Sequence, residues 1–225
     1  MAVGRLPAGS LEEAQALVSK VVAFETAGRT LEGRAALVAD NADLGGPFEA
    51  DADDVASTVL KGREVQKIYL RDLGAGTRAE IVGAFDSGSA LMSYVGHGAT
   101  AVWASENVFN NTDVPSLAAQ AQQPLLLTMN CLNGFFHFPP LNSLSEALVK
   151  AEGKGAIAAF SPSGLSLDEA AHVYHKALLA EIASGRHARL GDAVLAAQSV
   201  YADSGVFSEL LAIYHLFGDP AMRIR

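Results

Sequence analysis

Residues 125–134 read LLLTMNCLNG, an apolar run from Leu125 to Met129 followed at once by a polar stretch that holds the single cysteine of the chain, Cys131. A short apolar run without polar alternation is typical of a strand covered on both faces. Such strands belong to the parallel sheets of layered α/β folds. The segment therefore predicts a buried parallel strand with Cys131 just beyond its carboxyl end.

A second segment has the same form. Residues 90–98 read ALMSYVGHG, and the apolar run from Ala90 to Val95 ends in His97 with a glycine on each side. Ligands of open α/β sheets bind beyond the carboxyl ends of the strands. If the two strands are neighbours, His97 and Cys131 lie in one cleft.

Apolar runs and helical periodicities alternate along the rest of the chain, which is typical of one layered α/β domain spanning residues 1–225. Three more strands are predicted at 35–39, 67–70 and 155–160. Predicted helices cover 11–28, a segment opened by the acidic run at 49–54, 77–85, a segment starting at 143, 166–185, 192–201 and 207–217, with a final strand after 220. Ser10, Ser143 and Ser166, each followed three residues later by glutamate, predict helix-capping boxes.

The charge balance limits the partners. The chain has 16 Lys plus Arg against 25 Asp plus Glu, so its formal net charge is −9. The basic residues are scattered, whereas nucleic acids and anionic membrane surfaces need a clustered basic face. No stretch reaches the roughly 18 apolar residues of a membrane span. The first ten residues lack a signal-peptide pattern, which indicates either a cytosolic protein or a piece of a longer one.

One cysteine excludes an internal disulfide and a cysteine-based zinc cage, so Cys131 needs another explanation. A thiol becomes a useful nucleophile when a neighbouring imidazole, here His97, accepts its proton or stabilises the thiolate. The main-chain N–H groups of Gly98 and Cys131 are candidate donors to a developing oxyanion. The alternative from the residues alone is a small buried thiol and a structural histidine.

Several ordered motifs resemble those of the gingipain-type cysteine peptidases. They are YVGHG at 94–98, PLLLTMNCLNGF at 124–135, SLSEAL at 143–148 and GAIA at 155–158. VGRLP at 3–7 with Lys20, and FGDP at 217–220, are similar to motifs that open and close the second half of the family's catalytic region. The resemblance implies a caspase-like three-layer α/β/α sandwich with a mostly parallel central sheet. It also implies that the chain begins part-way into a longer protein.

The resemblance assigns roles to individual residues. Cys131 is the expected nucleophile and His97 the general base or thiolate partner, with the amides of Gly98 and Cys131 around the oxyanion. Asp40, at the end of the first predicted strand, lies where the family places an acidic residue near the histidine, so we expect it to orient His97.

The resemblance also indicates a substrate pocket. Glu49 and Asp51 lie in the segment where the family holds the carboxylate that selects a basic P1 side chain. The same acidic run is equally explained as the start of a solvent-facing helix. Ser163 and Leu167 belong to the segment expected to form the other wall. Some family members carry an aromatic residue where this chain has Leu167, which leaves the substrate preference open.

The resulting hypothesis is a cysteine endopeptidase that forms an acyl-enzyme on Cys131, with a protein or peptide as substrate and flanking domains as partners. Alternatives are a sorting peptidase or transpeptidase with the same dyad, and a non-catalytic caspase-like binding module. A flavodoxin-like binder is disfavoured because no glycine-rich phosphate loop is present. The family implies a secreted or cell-surface location. No cofactor is expected to be required and no metal ligands are predicted, while the family's calcium binding leaves structural calcium open.

Overall fold

A six-stranded sheet organises the chain. The computed structural model describes residues 1–138 and 141–225. The strands of this sheet are β1 (Ala35–Ala39), β2 (Val65–Tyr69), β3 (Leu91–Val95), β7 (Leu125–Met129), β8 (Ala158–Pro162) and β9 (Tyr214–Phe217). Three short strands, β4 (Gly98–Ala99), β5 (Val102–Trp103) and β6 (Phe109–Asn110), form a separate small antiparallel sheet.

Eight α-helices lie before, between and after these strands in the described residues. They are α1 (Leu11–Thr26), α2 (Phe48–Thr58), α3 (Leu70–Leu73), α4 (Thr77–Asp86), α5 (Leu144–Lys150), α6 (Asp168–Ala183), α7 (Leu190–Asp203) and α8 (Leu210–Ile213). Two 3-10 turns lie at Gly74–Gly76 and Val114–Ser116. None of the helices in the described part of the chain is long and apolar enough to cross a membrane.

The sheet order is β2-β1-β3-β7-β8-β9. The first five strands in this order pair in parallel and β9 pairs antiparallel with β8. The mostly parallel sheet expected from the apolar runs is therefore confirmed. Because the strands are parallel, the carboxyl ends of β1, β3, β7 and β8 meet at one edge.

Two hydrophobic cores lie on opposite faces of the sheet. Alternate strand residues point to opposite faces, so Leu37 packs in one core and Val38 in the other. The first core contains side chains of α2, α6 and α7, and the second contains side chains of α4, α5 and the small sheet. This arrangement is the predicted three-layer α/β/α sandwich.

The predicted helix over 207–217 is wrong in its second half. Only Leu210–Ile213 is helical, and Tyr214–Phe217 forms β9. A short apolar run fits a helix or a buried strand equally well in periodicity, and here pairing with β8 decides. The predicted final strand after Pro220 is also wrong, because the last residues form only an isolated bridge between Arg189 and Arg223.

The three predicted capping boxes have different outcomes. Ser143 and Glu146 form a complete box at α5. Ser10 accepts the N–H of Glu13 at α1, but the Glu13 carboxylate bonds Gly9 instead of closing the box. The box at Ser166 is wrong, since α6 begins after Leu167 without a side-chain cap.

Candidate active site

The parallel register places His97 and Cys131 side by side. Val95, the last residue of β3, is opposite Met129, the last residue of β7, and His97 and Cys131 each follow two residues later. Neighbouring strands lie about 4.8 Å apart. A Cβ atom added to Gly98 would lie 3.0 Å from the carbonyl oxygen of Cys131, so the two strand ends stay in contact beyond the sheet.

Cys131 lies in a turn that is hydrogen-bonded to the segment after β8. Its Sγ lies 3.4 Å from the main-chain N of Ser166, which donates to it, and 3.6 Å from the Ser166 carbonyl oxygen. The next residue, Leu132, has a φ of 64° and donates its N–H to the carbonyl of Gly164. A positive φ in a leucine is strained and is found most often at functional turns.

One polar group at this turn has no partner within residues 1–138 and 141–225. The Cys131 N–H has no acceptor there. The Cys131 thiol is half-buried, and its hydrogen bonds go to the Ser166 backbone and not to the His97 ring. The arrangement leaves the Cys131 N–H available to a ligand that enters the cleft.

The backbone of His97 is fixed on both sides. Its N–H donates to Asp40 Oδ2 at 3.1 Å. Its carbonyl oxygen accepts from the hydroxyl of Tyr94 at 2.6 Å and from the N–H of Ala104 at 2.9 Å. The side chain is about half exposed, so the imidazole faces the cleft from a rigid base.

The ring of His97 contacts the loop that follows β1. Its Nε2 lies 3.0 and 3.2 Å from the two carboxylate oxygens of Asp43. Phe48 packs edge-on against the ring, with centroids 5.3 Å apart. A Cβ at Gly45 would lie 2.6 Å from His97 Cε1, so this loop approaches the imidazole closely only because residue 45 is glycine.

Asp40 and Asp43 divide the role expected of one acidic residue. Asp40 is buried and bonds the main-chain N–H groups of His97 and Asn41, with no contact to the imidazole. Burial raises the pKa of Asp40 above its ordinary range. Asp43, which sequence reasoning missed, is the carboxylate on the ring. Its only sequence signal is its place in a polar loop after a strand.

A second acidic group lies between the starts of α2 and α6. Asp51 is 3.7 Å from Nδ1 of His172, and its carboxylate lies close to the carboxyl of Asp168. Burial, together with the charge of Asp51, raises the pKa of Asp168 to about 7. Within the described residues Asp168 Oδ1 is buried and unpartnered. Such a pair favours a cationic ligand.

The loop that also contacts His97 covers Asp51 and Asp168, which together we term the acidic pocket. A Cβ on Gly46 would clash with the carboxyl of Asp168 and would lie 2.8 Å from the ring of Phe48. Asp168 was missed in the sequence because it follows Ser166 in what resembles a capping box. The contact of Asp51 with a substrate stays a prediction.

Glu49, also predicted for the pocket, is engaged elsewhere. Its carboxylate accepts the N–H of Ala42 at 3.0 Å and pairs with Arg71 at 3.0 Å. Glu49 therefore holds the loop, and Arg71 neutralises its charge, whereas the neighbours of Asp51 are His172 and Asp168.

The two residues predicted for the opposite wall differ in their surroundings. The Ser163 hydroxyl is buried, donates to the carbonyl of Ile213 and lies 2.9 Å from His215 Nε2. Leu167 is 54% exposed and directly follows Ser166, which contacts Cys131. The exposed Leu167 lies at the rim of the cleft, whereas Ser163 links β8 to the segment before β9.

A buried asparagine connects the cysteine turn to the small sheet. Asn133 accepts from Trp103 Nε1 at 2.5 Å and from Asn130 Nδ2 at 2.7 Å. Its own amide donates to the carbonyls of Ala99 and Val102. Trp103 is fully buried, so its indole anchors Asn133 from the small sheet. Among the described residues, no group of three or more His, Cys, Asp or Glu is placed to hold a metal ion.

A histidine and a cysteine at adjacent strand ends of a mostly parallel sheet, between two helical layers, define the class of caspase-like domains. Residues 1–225 match the family model of peptidase family C25. The chain belongs to this family, and the resemblance seen in its motifs is confirmed.

Two comparisons locate the chain among its relatives. It is 27% identical over 161 residues to gingipain R2 of Porphyromonas gingivalis, an alignment that covers 68% of this chain and 22% of that protein. The crystal structure of the Arg-specific cysteine proteinase gingipain R superposes with a TM-score of 0.85 and 22% identity over 100% of this chain and 55% of that one. A complex of gingipain pro- and mature domains gives a TM-score of 0.82. The chain thus spans about a fifth of the curated relative and about half of the solved one.

Proposed function

We propose that this chain provides the catalytic region of a cysteine endopeptidase in which Cys131 is the nucleophile and His97 the general base. The observation that carries the proposal is the shared register of the two residues, each two positions beyond one of two adjacent parallel strands. Membership of peptidase family C25 supports the same reaction class.

The proposed reaction proceeds in two steps, acylation of Cys131 and hydrolysis of the acyl-enzyme. His97 takes the thiol proton, the thiolate attacks the scissile carbonyl carbon, and the carbon–nitrogen bond breaks as His97 returns the proton to the leaving amine. Water activated by His97 then hydrolyses the thioester, which releases the carboxylic acid and restores the thiol. Asp43 stabilises the imidazolium that forms in both steps.

The negative charge on the carbonyl oxygen needs donors beside Sγ. The unengaged N–H of Cys131 is one, and the N–H of Gly98 on the neighbouring strand end is the other. Removing one such donor typically costs about a hundredfold or more in rate. The Ser166 N–H, which already donates to Sγ, favours the thiolate.

The acidic pocket supports a basic P1 side chain. Asp51 and Asp168 lie on one side of His97, and the Asp168 carboxyl has a buried oxygen without a partner among the described residues. A lysine ammonium or arginine guanidinium placed there would satisfy that oxygen and separate the two carboxyls. Gingipain R, a similar protein of known structure, is an Arg-specific cysteine proteinase. Glu49, neutralised by Arg71, is not part of this proposed pocket.

Covalent labelling tests the dyad. The protein is treated with peptidyl acyloxymethyl ketones carrying Arg, Lys, Leu or Asp at P1, and the adduct is measured by intact mass. We expect one adduct with the Arg or Lys probe, none in Cys131→Ala, and at least a hundredfold slower labelling in His97→Ala. Labelling unchanged by His97→Ala would contradict the dyad.

The same probes test the pocket. Asp51→Asn and Asp168→Asn should each reduce the preference for basic over Leu probes by about tenfold or more, while Asp203→Asn, at the exposed end of α7, serves as the matched control. Loss of the preference in Glu49→Gln alone would place the pocket at Glu49. Absence of labelling by every probe, with a folded chain, would favour the non-catalytic binding module.

The remaining parts of the proposed function are the acyl acceptor, the flanking domains and the location of the protein. Water is the proposed acceptor, and an added amine that diverts the acyl group to a new amide would indicate the transpeptidase alternative. Flanking domains and a secreted or cell-surface location are proposed from family membership.

A further inference from the structure

A cavity of about 670 Å³ lies on the side of His97 away from the acidic pocket. Its walls are the turns and strands of the small sheet, from Gly98 to Thr112, and His97 forms one end. The acidic pocket lies on the α2 and α6 side of the central sheet, whereas the small sheet belongs to the opposite core. The volume is within the range of about 300–1,000 Å³ found for ligand pockets.

The two sides of His97 differ in charge. Apart from His97 itself, the described residues that line the cavity carry no ionisable side chain. The walls are small or bear amide and hydroxyl groups, as in Ala101, Asn110 and Thr112. Amides and hydroxyls both donate to and accept from peptide groups, so the lining suits a neutral polar segment and offers no cation to an acidic one.

The cavity walls are already ordered. The Asn110 side-chain oxygen accepts from the N–H and the hydroxyl of Thr112 at 2.7 and 2.6 Å, and its amide donates to Asn107 Oδ1 at 2.7 Å. Asn107 and Ala104 hold φ values of 56° and 58°. Non-glycine residues in this region are strained and cluster at ligand sites. A ligand that binds here therefore loses little binding free energy to ordering the cavity walls.

The position of the cavity relative to His97 and Cys131 determines which part of a substrate it can bind. The leaving amine must approach the imidazole to receive its proton, so the chain beyond the scissile bond continues on the His97 side of Cys131. The opposite side, towards Ser166 and Asp168, is taken by the P1 residue in the proposed function. A peptide crossing the strand ends therefore runs from the acidic pocket into the cavity.

We propose that this cavity binds the residues on the C-terminal side of the scissile bond and selects a neutral segment with small or polar side chains there. The inference rests on the proposed endopeptidase function. It assigns Ala101, Asn107, Asn110 and Thr112 to substrate binding, and it makes cleavage depend on residues beyond P1.

Two substrate series that share their acyl side test the proposal. One ends at P1 Arg or Lys with an aminocoumarin leaving group, and the other continues for three residues in an internally quenched peptide. In the wild-type protein we expect kcat/KM for the extension Ser-Ala-Asn to exceed that for Glu-Glu-Glu by at least tenfold. Ala101→Trp and Thr112→Trp, which fill the cavity from two segments, should each reduce that ratio to below threefold.

Ala119→Trp, on an exposed segment outside the cavity, is the matched control and should keep the wild-type ratio. Turnover of the aminocoumarin substrate establishes that each variant is folded. Equal kcat/KM for both extensions, or a ratio unchanged in both tryptophan variants, would overturn the cavity assignment while leaving the endopeptidase function standing. Absence of turnover of every substrate by the wild-type protein would overturn the proposed function and this inference with it.

Discussion

The imidazole of His97 is bonded through Nε2 to the carboxylate of Asp43, with oxygens at 3.0 and 3.2 Å. This contact fixes the ring orientation and leaves Nδ1 as the nitrogen for proton exchange with a thiol or a leaving amine. Asp43 is therefore a positioning residue for His97, and its removal should lower the rate.

We expect Asp43→Ala to lower kcat/KM about tenfold, at the low end of general acid-base effects because the pair is exposed to solvent. Asp43→Asn, which keeps an oxygen beside Nε2, should recover part of that loss. Initial rates on a basic P1 substrate check both effects. An equal loss in Asp43→Ala and Asp43→Asn would contradict the positioning role, and Asp203→Asn should leave the rate unchanged.

Because of the pair formed by Asp51 and Asp168, the free energy of unfolding should depend on pH in a predictable direction. Burial and the charge of Asp51 raise the pKa of Asp168 to about 7 from an ordinary value of 3.8. The folded chain then holds a proton that the unfolded chain has lost between about pH 4 and pH 7. The contribution of Asp168 to the free energy of unfolding is therefore full below about pH 4 and is lost as pH rises through 7.

Asp168→Asn should remove this dependence. Urea unfolding at pH 4.5 and 7.5 gives the change in the free energy of unfolding for the wild-type protein and the variant. We expect the variant to gain stability relative to the wild-type protein at pH 7.5 more than at pH 4.5. A difference of the opposite sign would show that Asp168 is ionised in the folded protein at low pH, and Asp203→Asn should track the wild-type protein.

Asn133 connects the cysteine turn to the small sheet through groups that water does not reach. Replacing it with alanine leaves the Trp103 indole N–H and the Asn130 amide without their acceptor and exposes two carbonyls to the cavity that forms. Each buried group left unpaired costs about 1–3 kcal/mol, so we expect Asn133→Ala to lower the free energy of unfolding by about 3 kcal/mol. Denaturant unfolding checks this against Asn142→Ala, an exposed asparagine for which a change below about 0.5 kcal/mol is expected.

The strand-end pair was predictable from the sequence because it depends on a simple rule. Apolar runs ending in His97 and Cys131 predict parallel strands, and parallel strands place their carboxyl ends together. The three-layer fold follows from the same alternation of strands and helices. Asp51 was singled out only through the family resemblance, and its role in substrate binding stays a prediction.

The residues that the sequence did not reveal depend on tertiary contacts. Asp43 and Asp168 lie 54 and 71 residues from His97 along the chain, and their roles arise because one loop folds over the ring and against α6. β9 was missed because an apolar run is assigned to a strand only when a neighbouring strand is available to pair with it. Ser166 looks like a helix cap, yet it is used to contact the thiol.

Lys20 stabilises the helix that supports the cysteine turn. Lys20 is 7% exposed, and its ammonium donates to the carbonyl oxygens of Leu148, Val149, Ala151 and Lys154 at 3.4, 3.1, 2.9 and 2.7 Å. These carbonyls lie at and just beyond the end of α5. The carbonyls of Val149 and Lys154 have no other donor among the described residues. The amino end of α5 is bonded to the cysteine turn, since the N–H of its second residue, Ser145, donates to the carbonyl of Asn133.

Lys20→Met should lower the free energy of unfolding by about 3 kcal/mol at pH 6, because a methionine of similar length fills the space but leaves the carbonyls of Val149 and Lys154 without donors. Burial lowers the pKa of Lys20 to about 7, so between about pH 7 and 10 the unfolded chain binds the extra proton and the lysine's contribution increases with pH. Urea unfolding at pH 6 and 9 should therefore show a larger deficit for the variant at pH 9. Lys61→Met, at an exposed lysine, should show neither effect, and a deficit below 1 kcal/mol at both pH values would mean that α5 ends without help from Lys20.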